Sequence, residues 1–125
     1  MSVLLHGTTR WRAERILADG PDPDFVEPGG MATRTDGFST YIEASPYLLL
    51  PPEAYARSKS MTFPTEGDPV IVAMDVPEEI IMLAVDDELL PLRQGLIQVD
   101  KGAGLEELLA IWSTLPKQIR PVEGP

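Results

Sequence analysis

The chain has 125 residues, a formal net charge of −10 and no cysteine. That length suits one domain with its own core. The missing cysteine excludes disulfides and thiolate metal sites and fits a cytoplasmic location. A surface this acidic repels phosphate backbones, so no nucleic-acid partner is expected. No apolar run reaches transmembrane length, so no membrane partner is expected either. Residues Met1 to His6 show neither a basic leader region nor a long apolar core, which argues against a signal peptide. The 13 Pro and 10 Gly lie between apolar runs and read as loops of a folded domain.

In chain order, Val3 to His6 reads as a short strand that Gly7 breaks. Thr8 or Thr9 can then cap a helix whose apolar face carries Ala13, Ile16 and Leu17. Gly20-Pro21 stops it. The single histidine, His6, is thereby expected at a strand end over a helix N-terminus, a setting suited to an anionic or hydroxyl-rich ligand. The alternative is a histidine that only bonds neighbouring backbone. Arg10, Arg12 and Arg15 cluster on this helix, either as a solvated face or as an anchor for a phosphate-bearing ligand.

Pro21 to Gly37 reads as a long loop, either a lid or a surface excursion held by Phe25. Gly37 to Ile42 is a strand with Phe38, Thr40 and Ile42 on one face and Ser39 and Tyr41 on the other. After a proline-rich turn, Pro52 to Ser60 begins with proline and an acidic residue and reads as a helix. Pro64 to Asp68 is a turn. Val70 to Val76 is the clearest strand, rich in β-branched residues. Pro77 to Glu79 turns the chain into a second apolar strand over Ile80 to Val85. Asp86-Asp87-Glu88 reads as a solvated turn rather than a cation site. Gly95 to Asp100 is a further strand and Lys101 to Gly104 a flexible turn. Leu105, Leu108, Leu109 and Trp112 then recur at helical spacing. One histidine and no cysteine cannot build a common zinc site, and neither a nucleophile elbow nor a phosphate loop is present.

Several of these stretches together resemble ADP-ribosyltransferase-like domains. They are Leu5-His6-Gly7-Thr8, the helix bearing Ala13 and Ile16, the strand Gly37 to Tyr41, the helix around Tyr55-Ala56 and the Val76-Pro77 turn, in the family's order. The resemblance implies one α+β domain over residues 1–125, with small split antiparallel sheets and two or three helices. It implies NAD as substrate, for ADP-ribosyl transfer or NAD glycohydrolysis, with a protein as one candidate acceptor. His6 would bond a ribose hydroxyl and the Gly7 backbone the nicotinamide amide. Tyr41 would stack on the nicotinamide ring, with Thr8, Ser39 and Tyr55 completing the site. Ser39 replaces an aromatic found in some of these motifs. Glu107-Leu108-Leu109, followed by Leu115 to Val122, resembles the late strand that begins with the catalytic glutamate, which would stabilise oxocarbenium-like charge. Leu105 stands where some members place a second Glu or Gln, a departure that argues against arginine-directed transfer. If the helical spacing of residues 105–112 prevails, the implied function changes. The chain is then a non-catalytic ligand- or protein-binding module that keeps the fold without the catalytic glutamate.

Overall fold

The computed structural model describes residues 2–21, 37–43, 52–81, 96–100 and 103–122, with the backbone alone described at 37–39, 42, 81, 96–100 and 103. The elements run β1 (Ser2–Thr9), α1 (Arg10–Asp19), β2 (Gly37–Ile42), α2 (Pro52–Thr62), β3 (Pro69–Val76), α3 (Glu78–Ile81), β4 (Leu96–Asp100), α4 (Ala103–Ile111) and β5 (Lys117–Pro121). Short 3-10 turns cover Pro64–Glu66 and Trp112–Thr114. The chain is α+β. Its described strands form one five-stranded sheet, ordered β4-β2-β1-β3-β5, in place of the expected split sheets. Every neighbouring pair is antiparallel.

The centre of the sheet is β1 against β3, in unbroken register from Ser2↔Val76 to Thr9↔Pro69. Alternation along β1 and β3 separates two faces. Leu4, Val70, Val72, Met74 and Val76 meet Ala13 and Ile16 of α1, Leu105 and Leu108 of α4, and Trp112 and Leu115 in the larger core. Leu5, Ile71 and Ala73 form a smaller cluster on the other face. Tyr41 lies opposite Leu5 on β1 and stacks on Tyr55 of α2, which puts α2 on this second face. The sheet is therefore sandwiched, with α1 and α4 on one side and α2 on the other.

Three expectations are corrected here, and one strand is added. Gly7 does not break β1, which continues to Thr9. A Cβ at Gly7 would lie 2.1 Å from the Pro52 carbonyl oxygen, so the glycine serves the close approach of α2. Ile80 and Ile81 belong to a helical turn rather than a strand, and Ile80 N–H donates to the Pro77 carbonyl at 3.1 Å. Gly104 lies inside α4 rather than in a turn. Finally, β5 was not foreseen as a strand. The Pro21–Gly37 loop apart from its ends, the acidic run Asp86-Asp87-Glu88 and residues 82–85 lie outside the described residues.

Candidate functional site

The expected site begins where β1 runs into α1. Thr9 caps the helix, its Oγ1 accepting from the Arg12 N–H at 3.4 Å. The same hydroxyl donates to Glu66 Oε1 at 2.9 Å. Arg12 turns inward, almost fully buried, and grips Glu66 through Nε at 2.6 Å and Nη2 at 3.0 Å. Its guanidinium also lies 4.8 Å from the centroid of the Phe63 ring. The backbone N–H of Arg10 donates to the Asp68 carbonyl at 2.9 Å. The first turn of α1, where an external anion was expected, thus faces a carboxylate and a carbonyl from the chain itself. Arg12 leaves the exposed arginine cluster, which reduces to Arg10 and Arg15. The signal for Arg12 was available: it precedes buried Ile16 by four residues, so it shares the helix's inner face. Its partner Glu66 lies far along the chain and carried no signal.

His6 sits in the middle of β1 rather than at its end, and is buried. It is level with Val72 and shares the face of Leu4, the face covered by α1 and α4. Tyr41 is level with Leu5 and is buried on the opposite face, its ring 5.4 Å from that of Tyr55 at an interplanar angle of 30°. His6 and Tyr41 therefore do not share a cleft. Gly7 and Thr8 are buried within β1. The Gly7 carbonyl accepts from Lys59 Nζ at 2.8 Å, a contact that the sequence did not suggest. Ser39 lies opposite Gln98 of β4, and its side chain is outside the described residues.

Glu107 lies in α4, so the strand alternative for residues 105–112 is overturned and the helical spacing prevails. Leu105 and Leu108 are buried while Glu106 and Glu107 are exposed, so Glu107 faces away from the sheet that carries His6. Among the described residues no cluster of three or more His, Cys, Asp or Glu side chains is placed to hold a metal ion. Among them, too, no helix is long and apolar enough to cross a membrane. The chain matches no family model, no curated protein and no solved structure.

Proposed function

We infer that the chain is a non-catalytic ligand- or protein-binding module. On this reading it keeps the order of elements of ADP-ribosyltransferase-like domains, β1–α1–β2–α2–β3, without a catalytic carboxylate. The observation that carries the reading is the separation of the three residues such catalysis needs together. His6 is on the α1 and α4 face, Tyr41 is on the α2 face, and Glu107 is on the outer surface of α4. Stabilising a developing cation requires a carboxylate fixed beside the reacting carbon, and an exposed helix residue is held by nothing. Further support comes from the groups already engaged within the chain: the Gly7 carbonyl by Lys59, and Tyr41 by Tyr55.

The test is titration with NAD, followed calorimetrically and by an assay for free nicotinamide, on the wild type and on Glu107→Gln. The expected result is no nicotinamide release from either protein. Their stabilities should agree within about 0.5 kcal/mol, the usual range for an exposed helix position. Release by the wild type that Glu107→Gln abolishes would overturn the reading. It would return the chain to NAD-dependent ADP-ribosyl transfer.

A further inference from the structure

We propose that the outer face of α1, centred on Trp11 and Arg15, docks an acidic segment of a partner protein. The proposal rests on the binding-module reading and names its surface. Of the two tryptophans, Trp112 is buried in the larger core, whereas Trp11 is 47% exposed. Arg15, one helical turn on, holds its guanidinium 4.7 Å from the Trp11 ring centroid. The ring quadrupole draws the guanidinium over the indole, and a guanidinium carries enough N–H donors to meet a carboxylate as well. Arg10 is exposed at the start of the helix.

Four other described cations are engaged within the chain. Arg12 is bound to Glu66, Arg120 to Glu43, Lys59 to the Gly7 carbonyl, and Lys117 to the carbonyls of Trp112 and Leu115. Arg10 and Arg15 have no carboxylate partner among the described residues, in a chain with twenty acidic side chains. An incoming carboxylate would find Arg15 free of a carboxylate partner among the described residues and set against an aromatic surface. Trp and Arg are the residue types that dominate binding hot spots. The face is held rigidly from behind, since Ala13 and Ile16 are anchored in the core and Arg12 is clamped by Glu66. Glu14 is exposed on the same face, and Asp19 closes the helix. They restrict the site to one or two carboxylates next to an apolar side chain, a short acidic segment rather than a long polyanion.

The probe is a fluorescein-labelled peptide in which one leucine is flanked by Asp and Glu, compared with its counterpart carrying Lys at the acidic positions. Binding is read by anisotropy at about 0.15 M salt, where long-range repulsion from the acidic surface is screened beyond about 8 Å. The acidic peptide should bind saturably and the basic one should not. Arg15→Glu and Trp11→Ala should each weaken binding roughly tenfold or more, as truncation of a hot-spot side chain does. Both positions are exposed, and a melting curve on each variant checks that the fold is kept. Absence of saturable binding, or binding unchanged by both substitutions, would overturn the proposal. So would concentration-dependent self-association that Trp11→Ala abolishes, since the face would then belong to a second copy of the chain. Nicotinamide release is measured on the same samples. Its appearance sinks the binding-module reading, whereas failed peptide binding without release sinks this surface alone.

Discussion

Gly7 illustrates how a single missing side chain can serve packing rather than ligand binding. Read locally, a glycine after an apolar run ends a strand. In the fold it lies within β1, and the backbone of α2 rests on it at Pro52 and Ala56. The obstacle to any Cβ is backbone, which cannot rotate away. Gly7→Ala is therefore expected to cost about 3 kcal/mol, the upper part of the range for overpacking. Urea unfolding measures it, and a change below about 0.5 kcal/mol would show that α2 shifts freely. Because Lys59 reaches the Gly7 carbonyl from the same helix, displacing α2 also strains that bond. None of this was legible near residue 7, since its cause lies some fifty residues further along the chain.

At the scale of elements, periodicity served well where one face of an element is buried. β3 was plain from its β-branched run. The spacing of Leu105, Leu108 and Trp112 favoured the helix α4 against the strand that the resemblance implied. β5 escaped because Lys117, Gln118, Arg120 and Pro121 surround one apolar residue, Ile119, and an edge strand needs no more. The relative facing of His6 and Tyr41 was equally out of reach. It depends on the pairing Leu5↔Tyr41, and a slip of one residue would have put the two side chains together. The junction of α1 with the 3-10 turn at Pro64–Glu66 is held by Arg12 and Glu66. Glu66→Ala leaves a buried guanidinium without its carboxylate and should cost about 3 kcal/mol. Combining Arg12→Met with Glu66→Leu should cost less than Glu66→Ala, because an apolar pair leaves no charge behind. Denaturant titration of the three proteins decides this. A double variant less stable than the single would show that the charges carry net favourable energy.

Across the whole molecule, twenty acidic against ten basic residues make the compact state repel itself. Raising the salt from about 0.05 to 0.5 M should increase the melting temperature as this repulsion is screened, despite weakening the exposed Arg120–Glu43 pair. A falling melting temperature would mean that attractive pairs outweigh the net charge. The same imbalance predicts no submicromolar RNA binding at about 0.15 M salt in an anisotropy titration, since too few exposed cations can displace counterions. The order β4-β2-β1-β3-β5 bears also on how the protein is made. β1 leaves the ribosome before β3, and because Thr9 pairs with Pro69 and Ser2 with Val76 its partner lies roughly seventy residues later. At about 5–20 residues per second, the apolar segment around Leu4 and Leu5 waits several seconds or more with that edge unpaired. During synthesis the nascent chain is thus an open template for a neighbouring strand, and a chaperone that shields β1 would raise the yield of folded protein.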